Sequence, residues 1–389
     1  MDLTPSADQR RLQGEIRAWL AAHPPPPDLG GGAGAPDLAE EVARLRGWQQ
    51  SLAGDRWVGV AWPEQFGGRG AGPAEHYLVT EELGRAGAPE MVGRIGINLV
   101  GPTLLAHGTE QQKDRWLHRI LGAADLWCQL FSEPDAGSDL ASLSTRAVKV
   151  PGGWRVGGQK VWTSYAQFAD WGLCLARSDP EAPKRRGITC LVVDMHGEGV
   201  EVRPLVQLTG EAEFNQVFLA DVFVPDDQQI GPTDEGWRVA NSTLSHERGV
   251  NPRQLVIHMR LLENLLRTAL DLGGFEDREL RRRLADAYVE VRLFQLHNMR
   301  TVSRLERGEH PGPEGSALKL YWSEMSKRLH ETAMEVIGPA APLWRDADGN
   351  PGSGEWQRSW LYYRASSIWA GTNEIQRNII GERVLGLPR

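Results

Sequence analysis

Cys128 to Asp139 reads CQLFSEPDAGSD, an apolar strand that breaks into a loop of Ser, Glu, Pro, Gly and Asp. A loop of small polar residues exposes backbone N–H groups and hydroxyls, which suits an anionic or polar heterocyclic ligand. The same residues also fit an ordinary strand-to-turn segment.

On the C-terminal side, TRAVKV, a PGG turn, WRVGGQKVWTS, WGLCLARS, GITCLVVDM, VEVRPLVQL and FNQVFLADVFVP follow in quick succession up to Pro225. Short β-like segments punctuated by Gly and Pro predict an antiparallel β domain. On the N-terminal side the pattern is helical. Thr4 and Pro5 make a cap-then-proline start, and Leu12, Ile16, Trp19 and Leu20 share one face. His23 to Pro36, HPPPPDLGGGAGAP, cannot continue a helix and is expected as a loop. Beyond Asp234 helical periodicity returns, with Leu255, Met259, Leu262, Leu266 and Ala269 on one predicted buried face. The order helices, strands, helices is an α+β arrangement.

Composition narrows the function. Of 389 residues, 43 are Lys or Arg and 51 Asp or Glu, and the net charge of −8 argues against nucleic-acid binding by bulk electrostatics. No apolar run approaches the ~20 residues that span a bilayer, and the start, MDLTPSADQRRL, lacks a signal-peptide pattern. A cytoplasmic location is expected. Cys128, Cys174 and Cys190 form no CxxC pair and are odd in number, so they read as small buried apolar residues rather than disulfide or metal ligands. Neither GxGxxG nor GxxxxGK[ST] opens a helix, so any nucleotide cofactor is held in another way.

Three further stretches carry chemistry. Lys160 to Tyr165, KVWTSY, sets Trp162 beside two hydroxyls, an aromatic wall suited to a flat ring system or, alternatively, a core Trp. In WRVANSTLSHER, Trp237 to Arg248, the apolar stripe Trp237, Ala240, Leu244 runs into Glu247. A carboxylate desolvated there becomes a better proton acceptor near neutral pH, as a general base requires, while a salt-bridged structural Glu is the alternative. In WAGTNEIQR, Trp369 to Arg377, Thr372 is a candidate cap for a helix carrying Ile375, Ile379 and Arg383.

The four stretches, in this order and spacing over nearly the whole chain, resemble the acyl-CoA dehydrogenase family. The resemblance implies an N-terminal helical domain (1–122), a middle antiparallel β domain (123–232) and a C-terminal four-helix domain (233–389). It implies FAD as cofactor, an acyl-CoA substrate, electron-transferring flavoprotein as electron acceptor, and a homotetramer or a heterotetramer with a paralogous subunit. Gln129, Phe131, Ser132, Trp162, Thr163 and Ser164 match the family's flavin contacts, Thr372 and Glu374 its dinucleotide contacts, and Ser138 a substrate contact. Where many members carry the catalytic Glu before Gly-Thr, this chain has Ala370, whose methyl group takes no proton. A subset of isovaleryl- and long-chain-type enzymes places the base on the first long helix of the C-terminal domain, directly before an Arg. Glu247 followed by Arg248 matches that placement, so Glu247 is the expected base, with Arg248 orienting it or lining the pocket. The implied reaction removes an α proton as hydride leaves the β carbon for flavin N5. The resemblance further implies that the N–H at Ala370 and a flavin ribityl hydroxyl stabilise the charge that develops on the thioester oxygen.

Two further departures concern the cofactor. Glu335-Val336-Ile337-Gly338-Pro339 stands where many members have Gln-x-x-Gly-Gly, and Arg278 and Arg281 are equal candidates for the FAD pyrophosphate partner. A non-catalytic subunit completing a partner's flavin site, and an oxidase or monooxygenase on the same fold, are the competing readings.

Overall fold

A computed structural model describes residues 6–26, 38–247, 252–309, 312–313, 315–344 and 354–388, without the side chains of 245–247. The chain forms two compact units, Val42–Gly70 with Glu90–Glu247, and Met1–Glu41 with Ala71–Pro89 and Arg248–Arg389.

Helices come first: α1 (Ala7–Ala22), α2 (Leu38–Gly54), α3 (Pro73–Arg85), α4 (Gly101–His107) and α5 (Glu110–Leu121). The cap of α1 is Ser6, whose hydroxyl accepts from the Gln9 N–H at 3.2 Å while the Gln9 amide accepts from the Ser6 N–H at 2.8 Å. The expected starters Thr4 and Pro5 lie outside the described residues, as does most of the Pro/Gly stretch before α2.

The first-named unit is built on β1 (Trp127–Leu130), β2 (Arg146–Val150), β3 (Gly153–Ser164), β4 (Trp171–Arg177), β5 (Ile188–Asp194), β6 (Val200–Leu205), β7 (Phe214–Pro225) and β8 (Gln229–Ile230). They join one sheet in the order β6-β7-β3-β2-β4-β5-β8, with β1 beside β4. The long pairings β3–β7, β4–β5 and β6–β7 are antiparallel; β1 lies parallel to β4, and β2 touches β4 at one parallel pair, Arg146 with Arg177. Leu130, Trp154, Val156, Cys174, Leu191, Val193, Val217 and Val224 form the core of this unit. All three cysteines are buried free thiols, as their spacing predicts.

Helix α6 (Gly236–Glu247) belongs to the same unit and packs on β5. It begins at a glycine because a Cβ there would lie 2.7 Å from the Ile188 carbonyl oxygen. At the start of α4 a Cβ on Gly101 would lie 2.0 Å from the Trp62 ring, so helix and indole approach to a distance only glycine permits.

The other unit holds α7 (Pro252–Asp271), α8 (Arg278–Glu306), α9 (Gly315–Ile337), α10 (Glu355–Tyr363) and α11 (Asn373–Ile379), together with α1 and α3. Leu255, Leu262, Leu265 and Ala269 of α7 are buried, with Met259 and Leu266 packed at the margin, against Phe294 of α8 and Met325 and Leu329 of α9. Arg17 of α1 meets Glu82 of α3 through two hydrogen bonds of 2.7 Å, and Gln13 donates to the same carboxylate. No described helix is long and apolar enough to cross a membrane.

Candidate functional site

Beyond Leu130, strand β1 gives way to Phe131 and Ser132, then to a turn in which Glu133 and Ala136 exchange both backbone hydrogen bonds at 3.1 Å. The Glu133 carboxylate is buried. It accepts from the Ser144 N–H (2.6 Å) and hydroxyl (2.8 Å), the Thr145 N–H (2.9 Å) and the Lys160 ammonium (2.8 Å). Burial works against its charge, but the Lys160 ammonium and the converging donors outweigh that and hold the carboxyl down at about 2. Lys160 is itself fully buried and spends its other protons on the carbonyls of Phe131 (3.1 Å) and Leu175 (2.8 Å). The next residue, Val161, donates to the Ser132 carbonyl at 2.9 Å, so the segments around Ser132 and Trp162 are tied together.

Strand β3 bulges here. Lys160 pairs with Val217 and Thr163 with Asn215, so two residues of β3 stand against one of β7. Trp162, in the bulge, has φ +58° and is 62% exposed, with its ring edge-on to Phe214 at 6.1 Å. A large aromatic held in a left-handed conformation and turned outward is an uncommon combination, of the sort found at ligand sites. Next to it, the Thr163 hydroxyl is buried with no hydrogen-bond partner, while Ser164 and Gln129 are half-buried. Ser138 is exposed on the loop after the turn.

Helix α6 of this unit buries Val239, Ala240 and Thr243, with Trp237 and Leu244 half-buried beside them. The buried Thr243 and Thr103 hydroxyls lie 2.8 Å apart and join α6 to α4, next to a π-helical turn at Gly96–Val100. The helix continues to Glu247. The Glu247 side chain and the whole of Arg248, expected as base and its neighbour, lie outside the described residues.

The other unit carries the C-terminal group. Ala370 (φ +55°) and Gly371 (φ +83°) make a left-handed turn whose two carbonyls accept from the Gln376 amide at 3.1 and 3.2 Å. Thr372 caps α11 as expected, its hydroxyl accepting from the Ile375 N–H at 3.2 Å. Asn373 anchors the turn to α9: its carbonyl accepts from Lys319 and Ser323 at 3.0 Å, and its amide donates to Glu324 at 2.6 Å. Glu374 is exposed and paired with Arg377 at 2.9 Å. Glu335 meets Arg283 at 2.8 Å, and the left-handed Gly338 follows the end of α9. At the start of α8, Arg281 donates to the Phe275 carbonyl at 3.0 Å.

Family models for the N-terminal, middle and C-terminal acyl-CoA dehydrogenase domains match residues 6–123, 128–222 and 234–385. Acyl-CoA dehydrogenase IpdE1 of Mycobacterium tuberculosis (strain ATCC 25618 / H37Rv) is 40% identical over 98% of each chain. The chain belongs to the acyl-CoA dehydrogenase family. Among solved structures of the family, the Tcur3481-Tcur3483 steroid ACAD superposes with a TM-score of 0.86 at 30% identity over the whole of both chains. The ChsE4-ChsE5 complex from Mycobacterium tuberculosis gives 0.84 at 30% identity, again over the whole of both chains. As in its family, a helical N-terminal domain, a central β domain and a C-terminal helical domain follow one another along the chain.

Glu133, Lys160, Thr103, Thr243 and Asn373 escaped the reading of the sequence. A signal for Lys160 was present: Trp154, Val156 and Lys160 fall on one side of β3 by simple alternation, and a lysine on the inward side of a strand needs a partner. With only six lysines in the chain, two of them, Lys160 and Lys319, are buried beneath these segments.

Proposed function

We propose that the protein is an FAD-dependent dehydrogenase that converts an acyl-CoA thioester to the 2-enoyl-CoA and passes the electrons to an electron-transferring flavoprotein. The observation that carries this reading is the outward Trp162 ring on its left-handed bulge, beside a buried Thr163 hydroxyl that lacks a partner. A flat heterocycle with edge heteroatoms suits both: the ring gives it a wall, and the hydroxyl gives one heteroatom a hydrogen bond. Gln129, Phe131, Ser132, Trp162, Thr163 and Ser164 would hold the isoalloxazine, and Thr372 and Glu374 the rest of the dinucleotide. When bound, FAD supplies the acceptor for the hydride from the β carbon.

The protein supplies the other half. Glu247 takes the α proton, Arg248 orients it or lines the pocket, and Ser138 meets the substrate. The N–H of Ala370 donates to the thioester oxygen as negative charge builds there, a role that needs only the backbone and survives the loss of a carboxylate at that position. For the acyl group we favour a bulky chain, including steroid-derived acids. The support is the base position on α6 and the similarity to a steroid ACAD.

The test is to purify the chain alone and add a panel of linear, branched and steroid-bearing CoA thioesters without oxygen. A yellow protein bleached by one class supports the reading and names the class. Rapid peroxide formation in air would make it an oxidase. A colourless protein that turns yellow only with a paralogous partner would favour the second reading, a half-site subunit of a mixed tetramer. That reading is supported by Ala370, by Glu335 and Pro339 in place of Gln and Gly, and by a similar chain belonging to the ChsE4-ChsE5 complex.

A further inference from the structure

Lys160 and Glu133 form a buried ion pair with every polar atom used. The ammonium has three acceptors, on Phe131, Leu175 and Glu133, and the carboxylate has four donors, from Ser144, Thr145 and Lys160. Such a pair is a poor way to gain stability, because desolvating two ions offsets their attraction and apolar residues of similar volume do as well or better. An apolar pair could not fix backbone position. The ammonium grips the Phe131 carbonyl, the carboxylate closes the loop on the amides of Ser144 and Thr145, and the neighbouring Val161 N–H holds the Ser132 carbonyl. Three successive residues of the loop are thereby set against β3, immediately before its Trp162 bulge.

We propose that the Lys160–Glu133 pair is a positioning device that locks the Phe131–Glu133 segment to the Val161–Ser164 segment, so that both meet the flavin as one preorganised surface. The inference rests on the reading that these two segments contact the flavin. Its consequence is that the pair governs affinity for FAD and the environment of the ring more than it governs folding.

The test compares wild-type protein with Lys160→Met and with the double variant Glu133→Gln/Lys160→Met, reading thermal midpoint, FAD affinity and the visible flavin spectrum. The single variant strands a buried carboxylate and is expected to lose much of its stability. The double variant strands no charge, although the Phe131 and Leu175 carbonyls lose their ammonium; it is expected to melt well above the single variant, to bind FAD roughly 10- to 100-fold more weakly, as when supporting partners are removed from other preorganised sites, and to show a displaced visible band. A folded double variant with wild-type affinity and spectrum overturns the proposal. Should neither variant fold, hydrogen exchange of the wild-type chain decides. Amides of Ser144, Thr145 and Val161 are expected to be as protected without FAD as with it; protection that appears only on FAD binding means that the cofactor orders the loop, and overturns the proposal. Failure of the functional reading is distinguishable: wild-type protein would then take up no FAD, or Trp162→Ala would bind it as tightly as wild type.

Discussion

Glu247→Gln is expected to keep bound FAD and lose roughly 10²- to 10⁴-fold in turnover, because the amide preserves shape and cannot accept a proton. Steady-state kinetics beside the visible spectrum of the same sample checks it, and near-normal turnover would remove Glu247 from the role. Trp162 was legible in the sequence as an aromatic beside hydroxyls, but its outward turn was not. Strict alternation along β3 would bury one of Val161 and Trp162, and the bulge between Lys160 and Thr163 breaks that alternation. Bulges depend on the partner strand, which a single strand's pattern does not contain. Thr372 was legible because a cap is local chemistry. Lys160 and Glu133 were missed because their partnership spans 27 positions, and nothing near either residue announces the other.

At the level of elements, α6 is joined to α4 by two hydroxyls that share three short contacts. Thr103 lies 2.7 Å from the Leu99 carbonyl, Thr243 3.0 Å from that of Val239, and the two hydroxyls 2.8 Å from each other. Two hydrogens serve three contacts, so the hydroxyls are coupled. Thr103→Val or Thr243→Val alone is expected to cost about 0.5–1.5 kcal/mol, the worth of the bond between the hydroxyls, since the one that remains still donates to its own helix carbonyl, and the double change is expected to cost less than the sum of the two. Chemical denaturation of the four proteins measures the coupling; strictly additive losses would show that the pair does not act as one. The helical face of α6 could be read from periodicity, and Val239, Ala240 and Thr243 are buried. The hydroxyl pair was invisible beforehand because a buried threonine and a buried valine leave the same pattern.

For the molecule as a whole, the succession of helices, strands and helices was readable because each class keeps its own period over many residues. The parallel β1–β4 pairing was not, since strand order is set by contacts distant in the chain. Acid sensitivity follows from histidines in the helical unit. Burial lowers the pKa of His258 to about 4 and of His330 to about 3, and lowers that of His76 as well. Each is neutral in the folded chain and takes up a proton more readily when unfolded. The stability they contribute is complete above pH ~6.5, the unfolded value, and is lost as pH falls toward those folded values. Between pH 6.5 and 5 the unfolding free energy is expected to drop with a slope approaching about 1.4 kcal/mol per unit for each of His258 and His330, with His76 adding in the same direction. Urea titrations across that range check it, and a flat profile would refute it. The three sequestered thiols have a further consequence. Burial raises the pKa of Cys174 to about 11 and those of Cys128 and Cys190 still higher, so little reactive thiolate forms at neutral pH. Ellman's reagent should colour with none of them in native protein and with all three in denaturant. A single cysteine engineered on the surface would then be the sole handle for a dye, ready for distance measurements without stripping the natural sulfurs first.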